Sequence, residues 1–126
     1  MTVVVEDSRF EALKFAGVNA DTNGNNTLRV AVCNSRFDRA GAVGMRSSTA
    51  QGGGVQFTVE QCHIADSETG VMSVSGSSVV RVSNTTIVNN TTGVLAATGG
   101  VMLTRRNNTV EGNDTNGAFT GILLAK

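Results

Sequence analysis

The 126-residue chain has no proline, no tryptophan and no tyrosine, and five phenylalanines are its only aromatic residues. A sugar-binding surface on it would lack the usual flat ring against which a pyranose packs, and the rings are too few to make stacking platforms for bases. Cysteine is scarce as well. The two present have no CxxC spacing, so they build neither a zinc site nor a disulfide framework, and a reduced compartment is compatible with them. Neither sign of charge is in excess: ten basic and ten acidic side chains cancel and the pI is about 6.5. That balance argues against an electrostatic nucleic-acid binder and against a polybasic membrane binder. Apolar runs extend for only a few residues, which excludes a transmembrane helix. The segment after Met1 lacks the basic and apolar regions of a signal peptide. The compartment is left open by these features, and a secreted or cell-surface parent protein is compatible with them. The length suits one modest domain.

What the chain does have is a repeat. One hexad recurs as Val5-Glu-Asp-Ser-Arg-Phe10, Val32-Cys-Asn-Ser-Arg-Phe37, Val59-Glu-Gln-Cys-His-Ile64 and Val82-Ser-Asn-Thr-Thr-Ile87, with a degenerate fifth copy, Arg105-Arg-Asn-Asn-Thr-Val110. Its last residues, Phe10, Phe37, Ile64, Ile87 and Val110, are spaced 27, 27, 23 and 23 residues apart. A glycine followed by an apolar residue comes six or seven positions after each: Gly17-Val18, Gly44-Met45, Gly70-Val71, Gly93-Val94 and Gly117-Ala118. Within each copy apolar and polar residues alternate, as in Phe57-Thr-Val59 and Val80-Arg-Val82, which is the period of a strand. Repeats of this length holding about three short strands and no helical pattern suit the turns of a parallel β-helix.

Stacking the copies predicts columns of equivalent residues about 4.8 Å apart. Val3, Val30, Phe57, Val80 and Leu103 form one inward column, and Val5, Val32, Val59 and Val82 a second. The five hexad ends form a third, and Val18, Met45, Val71 and Val94 a fourth. Between strands, Asp7, Asn34, Gln61, Asn84 and Asn107 line up at a corner where Asn tolerates the left-handed conformation and bonds its own turn. Stacked amides there can also bond one another from turn to turn. Beside them Ser8, Ser35, Cys62 and Thr85 are small, so Cys62 reads as a buried packing residue.

The Val-x-Asn-Ser-x-Phe hexad and later Gly-apolar pair resemble those of the right-handed parallel β-helix superfamily, the pectate-lyase-like fold, from Val3 to about Ile122. The last stretch, Asn107 to Gly121, is similar to the closing coil of small bacterial β-helix proteins of unknown function. The resemblance implies an all-β, right-handed parallel β-helix of about five turns with three short strands per turn. It is specific for fold and not for activity, because the superfamily spans polysaccharide lyases, glycoside hydrolases, phage tailspikes and epimerases. Residues 1–126 read as a single domain. Thr2-Val-Val-Val5 enters the repeat at once with no cap ahead of it, so the chain is expected to be the tail of a longer solenoid and to form homo-oligomers by edge or end-to-end stacking. At the other end Arg105 replaces the inward valine and Arg106 follows, and the segment 121–126 is expected to fold over the open end.

Candidate chemistry falls on the outward columns and the longer coils. Arg9, Arg36 and His63 share one register, and Glu6, Cys33 and Glu60 another beside it. Glu11 and Asp38 follow the hexad ends as ion-pair partners for Arg9 and Arg36, so the simplest account is a solvated ion-pair ladder. The alternative is a catalytic site: His63, the only histidine, as general base, Glu60 or Asp66 orienting or protonating, Arg36 holding an anionic substrate and Cys33 as a nucleophile. Arg9, Arg36, Glu11 and Asp38 form the candidate binding set. In the coils spaced by 27, residues 19–27 and 46–54 read as loops. Asp21, Asn23 and Asn25 alternate in the first in a weak likeness to a calcium loop, although the glycine comes early and no bidentate Glu closes it. No other cofactor is expected. The expected function is a non-catalytic structural or binding module whose ligand is an extended polysaccharide. The runner-up is a weak polysaccharide hydrolase or lyase.

Overall fold

The computed structural model describes residues 1–50 and 52–124. Fifteen strands and no helix occur among them, and every pairing is parallel. The first turn comprises β1 (Thr2–Glu6), β2 (Arg9–Glu11) and β3 (Ala16–Asn23). The second comprises β4 (Thr27–Cys33), β5 (Arg36–Asp38) and β6 (Val43–Ala50). The third is β7 (Gly54–Glu60), β8 (His63–Ala65) and β9 (Thr69–Val74), and the fourth β10 (Ser78–Ser83), β11 (Thr86–Val88) and β12 (Thr92–Ala97). A partial fifth turn follows as β13 (Val101–Thr104) and β14 (Thr109–Glu111), and β15 (Gly121–Ile122) closes the series. The strands stack into three sheets, β1-β4-β7-β10-β13-β15 (sheet A), β2-β5-β8-β11-β14 (sheet B) and β3-β6-β9-β12 (sheet C). The result is a β-solenoid of four complete three-strand turns and part of a fifth, close to the expected five.

The predicted columns are the core. Phe37, Ile64 and Ile87 are fully buried in register on sheet B, and Phe10 stacks on Phe37 with ring centroids 4.7 Å apart. Burying each such side chain contributes roughly 1.5–3 kcal/mol. Val30, Phe57 and Val80 stack on sheet A, as do Val32, Val59 and Val82, and Met45, Val71 and Val94 stack on sheet C. The glycine of the Gly-apolar pair is there for space. A Cβ on Gly44 would lie 2.7 Å from both the Gly70 carbonyl oxygen and Ile64 Cγ2, and one on Gly70 would lie 2.6 Å from the Gly93 carbonyl oxygen. Sheet C approaches the hexad ends of sheet B so closely that only glycine fits between them.

Three expectations are corrected. Residues 19–27 and 46–54 are not simply loops: β3 and β6 run on to eight residues each and pair through Asn23 and Ala50, so much of the added length is strand. Leu103 is not in the first inward column. Val80 pairs with Met102, which is fully buried, while Leu103 lies beside Arg81, and the inward place beside Val82 is taken by Thr104 and not by Arg105. The cause is one extra residue between β13 and β14, and in a strand a slip of one residue exchanges the two faces. The same insertion moves the left-handed backbone from Asn107 to Arg106 (φ 67°), whereas Asp7, Asn34, Gln61 and Asn84 adopt it as expected (φ 51°, 46°, 53° and 46°).

The C-terminal segment covers its end of the solenoid. Thr115 continues sheet C beside Thr92, Phe119 packs against the core, and Met102 N–H donates to Thr120 Oγ1 at 2.8 Å. Of the segment 121–126 expected to fold over the end, β15 extends sheet A, and residues 125 and 126 lie outside the described residues.

Candidate functional site

Two of the three corners carry side-chain ladders that position the outward columns. At the corner from sheet A to sheet B, Ser8 N–H donates to Ser35 Oγ at 3.2 Å, Cys62 N–H to Thr85 Oγ1 at 3.4 Å and Thr85 N–H to Asn108 Oδ1 at 2.9 Å. Each small side chain thus satisfies a backbone donor of the turn before it, which a buried corner requires. Cys62 belongs to this ladder, as expected. Its Sγ faces the Glu60 and Val32 carbonyls at 3.3 and 3.5 Å, and burial pushes its thiol up from the ordinary range. That is the environment of an inert structural thiol.

The corner from sheet B to sheet C repeats the device with residues that sequence reading passed over. Ala40 N–H donates to Ser67 Oγ (3.1 Å), Ser67 N–H to Asn90 Oδ1 (3.0 Å) and Asn90 N–H to Asn113 Oδ1 (2.8 Å). The residues before them, Arg39, Asp66, Asn89 and Gly112, and Ala12 in the first turn, all have positive φ. Asn89 and Gly112 were the available signal, but Ala12 and Arg39 at equivalent positions concealed the column. The corner from sheet C back to sheet A buries hydroxyls: Ser47 Oγ lies 2.5 Å from Ser78 Oγ, and Ser73 Oγ donates to the Ser78 carbonyl at 3.0 Å.

On this frame Arg9, Arg36 and His63 stand side by side on sheet B, followed by Thr86 and Thr109. Glu11, Asp38, Ala65, Val88 and Glu111 occupy the adjacent register. The ion pairs form as the simplest account holds. Arg9 Nη2 is 3.3 Å from Glu11 Oε2, and Arg36 Nε is 2.5 Å from Asp38 Oδ2. Arg39, which sequence reading did not single out, reaches Glu11 from the following turn at 2.5 Å. The Arg36 guanidinium is held still further above its usual range, first by the hydrogen bond to Asp38 and then by its charge. These side chains are largely exposed except for Asp38, at 8% relative accessibility.

Asp38 Oδ1 faces His63 Nδ1 at 4.0 Å, too far for a hydrogen bond, and both atoms are buried without a partner. The only histidine is therefore set against a carboxylate of the neighbouring turn. Cys33 and Glu60 pair on sheet A in the column of Glu6. They do not share the open groove of about 790 Å³ at the A to B corner, which Asp7, Asn34, Gln61, Asn84, Arg9, Arg36 and His63 line among others. Along it Asn34 Nδ2 donates to Asp7 Oδ1 at 2.6 Å and Asn107 Nδ2 to Asn84 Oδ1 at 3.0 Å, the turn-to-turn amide bonding expected of this column. Asp66 lines a separate depression of about 580 Å³ at the B to C corner with Glu68, Asn89 and Asp114.

The calcium candidates are split. Asp21 and Asn23 lie exposed on β3, paired with Ser48 and Ala50, and Asn25 lies beyond Gly24, where the backbone turns with φ 106°. Among the described residues no three His, Cys, Asp or Glu side chains converge where they could hold a metal ion.

No curated protein and no solved structure matches the chain. The family described as the right-handed β-helix region matches residues 1–124, nearly the whole length and every turn of the solenoid. The chain belongs to the right-handed β-helix family.

Proposed function

We propose that the chain is a non-catalytic solenoid module that binds an extended glycan along the groove at the corner between sheets A and B. The observation that carries this reading is the groove's linear repetition. A side-chain carboxylate or amide oxygen and a guanidinium or imidazole group recur from Asp7 and Arg9 through Asn34 and Arg36 to Gln61 and His63, one set per turn at about 4.8 Å. A row of polar groups at constant spacing offers the same hydrogen bonds again and again, which suits a repeating polar polymer better than a compact metabolite. The groove is open and has no ring platform, so binding rests on hydrogen bonds and bridging water, and affinity per site is modest. The ion pairs within the ladder leave it without an excess of cationic charge, which makes neutral polysaccharide as suitable a ligand as acidic.

The test is a titration of the labelled protein with neutral and acidic oligosaccharides of increasing length, read by amide chemical shifts. Shifts confined to Asn34, Arg36, Gln61 and His63 that strengthen with chain length support the reading. Saturating shifts elsewhere, or none with any oligosaccharide, refute it.

A second reading, a weak polysaccharide hydrolase or lyase, has one observation in its favour, the imidazole of His63 set against the buried Asp38 carboxylate. A carboxylate behind Nδ1 orients an imidazole as a base. This reading requires turnover of a polysaccharide by the wild type that disappears in His63→Ala. Equal product from both proteins rules it out.

A further inference from the structure

The outer face of sheet A carries a small pocket of about 140 Å³, lined by Thr58, Glu60, Arg81, Ser83, Arg105 and Leu123 among others. It shares no residue with the groove at the A to B corner. Ser83 stands in the outward column of Glu6, Cys33 and Glu60, and yet it is only 6% accessible. Its carbonyl accepts from Thr85 Oγ1 and from the Gln61 N–H, but its hydroxyl has no hydrogen-bond partner among the described residues. A hydroxyl so enclosed is satisfied only by what enters the pocket.

The extra residue of the fifth turn builds one wall. Because Thr104 takes the inward place beside Val82, the next residue, Arg105, falls on the outer face at the pocket. Arg81 forms another wall, and its Nη1 donates to Gln56 Oε1 at 2.6 Å. Among the described residues neither guanidinium has an ion-pair partner, whereas Arg9, Arg36 and Arg39 each have one. Leu123, whose N–H donates to the Thr104 carbonyl at 2.8 Å, adds an apolar side that displaces water and strengthens the field of these charges.

We propose that this pocket binds a carboxylate group. Two guanidinium groups and the Glu60 carboxylate leave one positive charge in it, which a monoanion balances and a dianion such as sulfate does not. A planar carboxylate matches the guanidinium fork, and the Ser83 hydroxyl offers it a further donor. The volume holds roughly four water molecules at about 30 Å³ each, so a carboxylate with a carbon or two fills it. The remainder of the ligand lies outside the pocket, and a sugar acid and a peptide terminus both answer to this chemistry.

The experiment is a titration of the labelled protein with acetate, at constant ionic strength set by chloride, read by the amide shifts of Arg81, Ser83 and Arg105. Saturable shifts are expected there, and neutral acetamide produces none. Arg81→Gln raises the dissociation constant at least about tenfold, as the loss of a charge-assisted hydrogen bond requires. Arg105→Gln, at an exposed side chain whose loss the fold tolerates, weakens acetate in the same sense, and Glu60→Gln tightens it. Arg29→Gln, an exposed arginine of β4 outside the pocket, removes the same charge without effect. Glucuronate and N-acetylglycine distinguish the sources: each supports the proposal if it binds at least as tightly as acetate, and the tighter one identifies a sugar acid or a peptide terminus. Shifts that do not saturate, sulfate bound as tightly as acetate by the wild type, or equal losses in Arg29→Gln and the two pocket variants overturn the proposal.

Discussion

The two ends of the solenoid meet the same problem differently. A stack of turns leaves an open core and unpaired strand edges at each end. At the C-terminal end the edges of sheets A and B are short, β15 having two residues and β14 three, Thr115 bridges the β12 edge of sheet C, Arg105 and Arg106 occupy the corner, and Phe119 packs against the core. At the N-terminal end β1 presents five residues with three consecutive valines, and Val3, Val5 and Phe10 are only partly covered. The repeat unit is the same throughout, so the difference shows what the unit leaves undone. A turn buries its own columns only when another turn lies on each side, and the residues that end the stack are additions outside the hexad pattern.

Core truncations sharpen this comparison most. Phe37→Ala is expected to cost about 3–5 kcal/mol, and Phe10→Ala, one turn nearer the open end, clearly less, by urea denaturation of each variant. Equal costs would mean that the first turn is as well covered as the second. Asn90→Ala removes the acceptor of the Ser67 N–H and leaves a buried donor unpaired, at about 1–3 kcal/mol. The loss should be partly restored in Asn90→Ser, whose hydroxyl imitates that of Ser67. Phe119→Ala uncovers the closed end. We expect a loss of about 1–2 kcal/mol and faster amide exchange in β13 and β14, with β1 unaffected.

The cysteines extend the comparison to chemical reactivity. Cys33 is half-buried on an outward column and Cys62 is buried in a corner ladder, so in the folded protein an alkylating reagent should label Cys33 alone, with Cys62 following only on unfolding. Because burial raises the Cys62 thiol, the folded state retains this proton to higher pH than the unfolded chain does. Its contribution to stability is complete below the ordinary thiol range near 8.5 and is lost as pH rises through the raised value. Cys62→Ala should remove that part of the alkaline dependence, as seen in melts across pH. The smallest effect belongs to the exposed ladder: Arg9→Gln should change stability by less than about 1 kcal/mol, because the Arg9 to Glu11 pair is solvated.

The fold was legible in the sequence because a parallel solenoid repeats one environment, so that the hexad ends and glycine pairs mark their own register. That legibility failed at a single inserted residue near Arg106, which moved Met102 into the core in place of Leu103. The longer coils were misread because Asn and Gly signal a turn locally, while the neighbouring strand of the stack can hold the same residues extended, as β6 holds β3. The candidate site was legible as columns and only partly as contacts. That Arg9, Arg36 and His63 align follows from spacing. That Arg39 reaches back to Glu11, and that Cys33 and Glu60 stay on another sheet, depends on which way a corner turns.

Native-state amide exchange, residue by residue, tests the asymmetry of the two ends most directly, at a concentration where sedimentation shows a monomer. The slowest exchange is expected in β7 and β10, with β13 and β14 less protected. The edge-facing amides of Thr2, Val4 and Glu6 should be open to solvent. Protection of β1 equal to that of β13 and β14 in the monomer would contradict an open first turn.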